Sequence, residues 1–119
     1  MNHELKTVGV LGCGLMGSGI AQVCAASGYK TIVREVDDSI LQKGLGRIKK
    51  FLDDGVTRGK VTPEARDKTL ENLSGTTTLE ALKDCDVVVE AIIENLDEKR
   101  AAYAALEKVV YDHTILLSN

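Results

Sequence analysis

Apolar runs alternate with helix-period segments along the whole chain, with no repeat, low-complexity stretch or linker between them. Thr7 to Leu11 is a short, continuous apolar run, the pattern of a parallel strand buried on both faces. From about Leu15 to Ser27 the apolar positions Met16, Ile20, Val23 and Cys24 fall at helical spacing, and Gly28 stands where a helix ends in a left-handed turn. Lys30 to Val36 predicts a second strand. Asp37 or Asp38 can then cap a helix whose stripe is Leu41, Leu45, Ile48 and Leu52, ending near Asp54-Gly55.

After the polar segment GVTRGK, Thr62 is a helix cap and Pro63 fits the first helical position, where its fixed φ is already suitable. This second helix is short and highly charged, and the pair reads as a helical excursion standing off the sheet between the second and third strands. Leu73 to Thr77 predicts a short third strand and Thr78 to Leu82 a single helical turn. The β-branched VVVEAI places a fourth strand over Asp86 to Ile92. A helix with Tyr103, Leu106 and Val110 on one stripe follows over Asp97 to Tyr111, then a fifth strand over Thr114 to Leu117. Strands alternating with helices in this way predict an α/β fold built of βαβ units around a doubly wound parallel sheet.

Composition adds boundaries to that picture. A chain of 119 residues, 44% hydrophobic, fits one domain with a real core. The net charge of -3 comes from mixed acids and bases, so no nucleic-acid partner is expected. The apolar runs are too short to span a bilayer, and no secretory signal precedes them, so no membrane is expected and the cytoplasm is the expected location. Cys13, Cys24 and Cys85 form no CxxC pair, which suits a reducing compartment and leaves no metal-ligand spacing.

The chemistry concentrates in VGVLGCGLMGSGIAQ. Gly12, Gly14 and Gly17 match G-x-G-x-x-G between a predicted strand and a predicted helix, the context in which glycines cradle a dinucleotide's diphosphate. Gly12 makes the tight turn, Gly14 lets backbone approach the ligand, and Gly17 lets helix and strand pack closely. The plain alternative is a glycine-rich helix start, but Gly17 and Gly19 would each cost about 1 kcal/mol relative to alanine, a cost that close approach explains. Cys13, Leu15 and Met16 complete the loop. Cys13 offers either an oxidant-sensitive thiol or simply a small side chain in a tight place.

Glu35 ends the second strand, where an acid can bind the adenosine ribose and repel a 2′-phosphate, favouring NAD over NADP. Arg34 beside it points to the other face, where a local ion pair would hold it. Asp37 and Asp38 read as caps and as rival acids. At the end of the fourth strand Ala91 can present backbone to a cofactor, while Glu90, Glu94 and Lys99 can reach the cleft. The two glutamates also suggest an acid/base pair, though no opposing group is evident. His113 precedes a buried strand and reads as structural. Lys43, Arg47, Lys49 and Lys50 read as a solvated helix face.

These residues carry a likeness. GVLGCGLMGSGIAQVCAASGY, VREVDDSILQKGLGRI, DVVVEAIIENLDEKR and HTILLSN, in this order, resemble the amino-terminal domain of 3-hydroxyacyl-CoA dehydrogenases over essentially the whole chain. The resemblance implies a Rossmann-like sheet, expected here to be truncated after its fifth strand, and NAD-linked interconversion of 3-hydroxyacyl-CoA and 3-oxoacyl-CoA, with 3-hydroxybutyryl-CoA as the short-chain case. It implies that Gly12 to Gly17 take the pyrophosphate, Glu35 the ribose, Glu94 and Lys99 the cofactor cleft, and Asn119 the nicotinamide. It also implies coenzyme A contacts from the helical excursion, for which Arg58 or Lys60 are the candidates; Phe51 falls where some relatives have serine.

In the family, the catalytic serine, a histidine paired with a glutamate and a helical dimer domain follow SN. Ser118 and His113 do not match the catalytic serine and histidine. Residues 1–119 are therefore expected to form the NAD-binding domain alone, binding cofactor without turnover and prone to self-association. The alternative expectation is a standalone NAD-binding sensing module.

Overall fold

The computed structural model describes residues 6–91 and the strand 115–118. Its elements are β1 (Thr7–Leu11), α1 (Leu15–Ala26), β2 (Lys30–Arg34), α2 (Asp38–Thr57), α3 (Pro63–Asn72), β3 (Leu73–Thr76), a 3₁₀ turn at Glu80–Leu82, β4 (Val87–Glu90) and β5 (Ile115–Ser118). The five strands form one sheet in the order β3-β2-β1-β4-β5. Every pairing is parallel. That order reverses direction between β1 and β4, which opens a crevice beyond their carboxyl ends.

The register places Thr76, Arg34, Leu11, Glu90 and Ser118 in one row across the sheet. The chain therefore leaves the sheet at a common edge. Gly12 and Ala91 stand next to each other just past it, with Ala91 N–H donating to the Leu11 carbonyl at 2.8 Å. Glu35 lies just beyond Arg34, its own N–H bonded to the Thr76 carbonyl at 3.1 Å.

Alternation along the strands sends side chains to two cores. Val8, Val10 and Val33 meet Ala21 of α1 and Leu41, Ile48 and Leu52 of α2. Leu11 and Val88 meet Leu82 and Cys85 on the opposite side. Gly9 belongs to that second side: a Cβ there would touch Leu82 at 3.0 Å and Cys85 at 3.1 Å.

The buried face of α1 corrects the sequence expectation. Met16 and Val23, two of the apolar positions that define its helical period, are exposed, Val23 by 65%. Gly17, Ser18, Ala21 and Ala25 face inward instead. Small side chains let this helix lie close to the sheet, so its larger residues are turned outward.

The two helices after β2 form the expected excursion, but it is anchored rather than free. A Cβ on Gly75 of β3 would strike Leu45 at 2.9 Å and Leu41 at 3.0 Å, so α2 rests directly on the edge strand. Asn72 at the end of α3 donates its side-chain amide to the Ala25 carbonyl of α1 at 3.1 Å. Both helices start as the sequence predicts. Asp37 accepts from Ser39 N–H at 2.7 Å and Thr62 from Ala65 N–H at 3.1 Å, each satisfying a backbone donor that the helix start leaves open.

β3 ends at Thr76 and β5 runs over Ile115–Ser118, each one residue from expectation, and the boundaries of β2, β4 and α2 differ by more. β2 stops at Arg34 and β4 at Glu90, because pairing ends at the common edge. α2 runs past Gly55 to Thr57 and is closed by Gly59 at φ +72. Gly55 has another role: a Cβ there would meet the Val61 side chain at 2.7 Å, where the chain folds back. The predicted helix over Asp97–Tyr111 lies outside the described residues.

Cys85 gives the core a pH signature. Burial above all, then the charges of Asp86 and Asp84, push its thiol up to about 11, with Lys30 opposing. The folded chain thus holds this proton more tightly than the unfolded chain, whose thiols titrate near about 8.5. The contribution of Cys85 to stability is complete below that pH and is lost as pH rises through about 11. Thermal melts across this range should show an alkaline decline that is smaller in Cys85→Ala. An identical decline would remove Cys85 as its source.

Candidate functional site

Gly12 has φ +103, a backbone conformation that L side chains rarely adopt, and it turns the chain from β1 toward α1. The Gly12 carbonyl oxygen lies against Gly17, where an added Cβ would sit 1.8 Å from that oxygen and 3.7 Å from the Ala91 side chain. No side chain can replace the Gly17 hydrogen without moving the loop. Gly19 is different, since an added Cβ has nothing within 4 Å. Close approach within the described residues therefore explains Gly17 and not Gly19, which corrects half of the sequence argument.

The start of α1 contrasts with its neighbours. Its N-cap is Gly14, with no side-chain cap, and its first turn holds no acid, whereas Asp37 and Thr62 close the other helices. Leu15 and Met16 open that first turn. A glycine at the cap and a first turn with no acid of its own leave the positive end of the helix suited to an anion.

Cys13 is fixed from three sides. Its N–H donates to Glu35 Oε2 at 2.9 Å, and its carbonyl accepts the Ser18 hydroxyl at 3.3 Å. Its Sγ lies 3.9 Å from the Leu41 carbonyl and 3.8 Å from Ser18 Oγ. Gly44 makes this possible: a Cβ there would stand 2.1 Å from Cys13 Sγ and 2.5 Å from its carbonyl oxygen. Burial pushes the thiol up, the Ser18 hydroxyl and Arg47 lower it, and Glu35 reinforces the rise. The side chain is 1% exposed, so its small size, rather than thiol reactivity, accounts for it.

Glu35 uses both oxygens, the second accepting from Val36 N–H at 2.9 Å. Among the described residues Arg34 does not form the expected ion pair. Its Nε donates to the Thr77 carbonyl at 3.3 Å. Asp37 is held by its cap, and Asp38 accepts from Gln42 at 3.3 Å, so both behave as helix-start residues. The basic run divides: Arg47 Nη1 reaches Ser18 Oγ at 3.4 Å, while Lys50 pairs with Asp54 at 3.5 Å. Arg47 is thus a support of the loop and not merely solvated.

Gly12, Cys13, Gly14, Leu15, Met16, Gly17, Glu35 and Ala91 are brought to one edge of the sheet. Arg58 and Lys60 are not; they are exposed beyond the far end of α2, about 20 Å along the helix from Gly44. Glu94, Lys99, His113 and Asn119 lie outside the described residues. Glu90 is buried in the last row of β4. Ser18 and Gly44 are supports that the sequence reading missed. Gly44 sits on the predicted apolar stripe of α2, at i+3 from Leu41, which is the available clue.

A doubly wound parallel sheet, with a glycine turn after β1 and an acid after β2, defines a dinucleotide-binding domain of the Rossmann type. Residues 7–119 match the family model described as 3-hydroxyacyl-CoA dehydrogenase, NAD binding domain, and the chain belongs to that family. It is 41% identical over 117 residues to a glyoxysomal fatty acid beta-oxidation multifunctional protein of Brassica napus, covering 98% of this chain and 16% of that protein. It is 40% identical to a 3-hydroxybutyryl-CoA dehydrogenase of Mycobacterium tuberculosis, covering all of this chain and 42% of the relative. The crystal structure of (S)-3-hydroxybutyryl-CoA dehydrogenase from Ralstonia eutropha superposes with a TM-score of 0.93 at 34% identity, over 98% of this chain and 41% of that one. The chain thus spans less than half the length of these relatives.

Proposed function

We propose that the protein provides the cofactor-binding part of an NAD-dependent oxidoreductase interconverting 3-hydroxyacyl-CoA and 3-oxoacyl-CoA, with the short 3-hydroxybutyryl-CoA as substrate. The observation that carries the nucleotide half is the contact of Gly17 with the Gly12 carbonyl beside a helix start whose cap is a glycine. The substrate half is supported by the names of the relatives. No observation favours a standalone sensing module.

NAD, when bound, supplies the hydride acceptor. The residues at the sheet edge then divide the work of holding it. Gly12 to Gly17 offer backbone and the positive end of α1 to the diphosphate, a cradle that any Cβ at Gly17 would fill. Glu35 accepts from the adenosine ribose hydroxyls, and Ala91 offers backbone at the switch between β1 and β4. The family resemblance assigns Glu94, Lys99 and Asn119 to the same cleft and Arg58 or Lys60 to coenzyme A.

The carboxylate of Glu35 sets the cofactor preference by repelling a 2′-phosphate. Calorimetric titration should give NADH an affinity about tenfold or more above that of NADPH. Equal affinities, or a preference for NADPH, would reject this role. For the substrate, the whole enzyme should oxidise NADH with acetoacetyl-CoA and not with free 3-oxo acids; the reverse preference would remove the thioester assignment.

A further inference from the structure

The peptide between Gly12 and Cys13 is fixed at both ends. Its oxygen lies against Gly17, and its N–H, on the opposite side of a trans peptide plane, donates to Glu35 Oε2 at 2.9 Å. Rotation of this plane would drive the oxygen away from α1 and break a bond to a carboxylate. The other oxygen of Glu35 is held by Val36 N–H at 2.9 Å, so the carboxylate is anchored by its own strand exit while it holds the loop.

We propose that Glu35 is a positioning residue for the phosphate loop: through the Cys13 N–H it sets the orientation of the Gly12–Cys13 peptide, independently of any contact with the ribose. The inference rests on the dinucleotide reading of the loop and extends it. Each carboxylate oxygen has a second lone pair, so one group can hold the loop and still accept a hydroxyl. A cofactor then meets a loop already shaped by the residue that reads its ribose.

Glu35→Met tests this because it keeps the length of the side chain and removes both carboxylate oxygens, so the Cys13 N–H loses its carboxylate acceptor whichever rotamer is adopted. The probes are NADH and an NADH analogue whose adenosine carries a 2′,3′-dideoxyribose, which offers Glu35 no hydroxyl. The expected result is that E35M weakens both ligands by about tenfold. Without ligand, exchange of the Cys13 amide accelerates by a similar factor while that of Val10 in β1 is unchanged. Equal affinity of the wild-type protein and E35M for the dideoxy analogue, or unchanged exchange at Cys13, overturns the proposal.

If wild-type protein binds neither dinucleotide, the nucleotide reading fails, while exchange at Cys13 still scores the positioning role. If E35M does not fold, the wild-type amide decides. Protection of Cys13 comparable to that of strand amides supports the role, and exchange as fast as in an open loop contradicts it.

Discussion

Gly17→Ala is expected to abolish measurable NADH binding and to lower the melting temperature by about 10 °C, the shift that overpacking worth about 2–3 kcal/mol produces in a domain of this size. The new methyl would stand 1.8 Å from the Gly12 carbonyl oxygen, so either the loop or α1 must move. Both movements spoil the place proposed for the diphosphate. Gly19→Ala is the internal control. It makes the same chemical change in the same helix, two residues on, but into open space. Relief of glycine's backbone entropy should raise stability by up to about 1 kcal/mol and leave NADH affinity intact. Melting curves and calorimetry on the two variants give opposite signs; equal signs would show that the Gly12–Gly17 contact does not govern the loop.

Gly44→Ala should have the next largest effect, although Gly44 lies outside the motif. A methyl there meets both the thiol and the backbone carbonyl of Cys13, at 2.1 and 2.5 Å, pushing α2 and the loop apart. A loss of about 1–3 kcal/mol is expected, together with weaker NADH binding. Cys13→Ala removes the thiol but not the carbonyl. The double variant should therefore recover only part of the loss, which a double-mutant cycle measures as a favourable coupling. Strict additivity would mean that the helix and the loop do not share this contact.

The features legible in the sequence are those set by local pattern. The strands announce themselves as short apolar runs, and parallel pairing follows from the helices between them. The caps at Asp37 and Thr62, the left-handed exit at Gly28 and the turn at Gly12 follow from residue type and position. The glycine loop and Glu35 are similarly readable, since their spacing reflects a chain that must turn tightly and then return along the next strand.

What the sequence conceals is set by distance in space. Helical periodicity in α1 weights large apolar side chains, yet the sheet accepts the face carrying Gly17, Ser18, Ala21 and Ala25, because proximity there is worth more than the area of Met16 or Val23. Gly44 looks like a weak point in α2 until Cys13 is placed against it. Gly55 resembles a helix stop, but it makes room for Val61. Arg47 joins the loop only because α2 crosses α1 at Ser18. The tie from Glu35 to Cys13 spans 22 residues, and strand register alone brings its two ends together.

The loop, the helix start and Glu35 converge on one statement, that this sheet edge binds NAD(H). Calorimetric titration of the protein with NADH tests it most directly, run beside Gly17→Ala and Gly19→Ala. Saturable binding of one NADH per chain is expected, lost in the first variant and kept in the second. No saturable binding by the wild-type protein, or equal binding by Gly17→Ala, would contradict it.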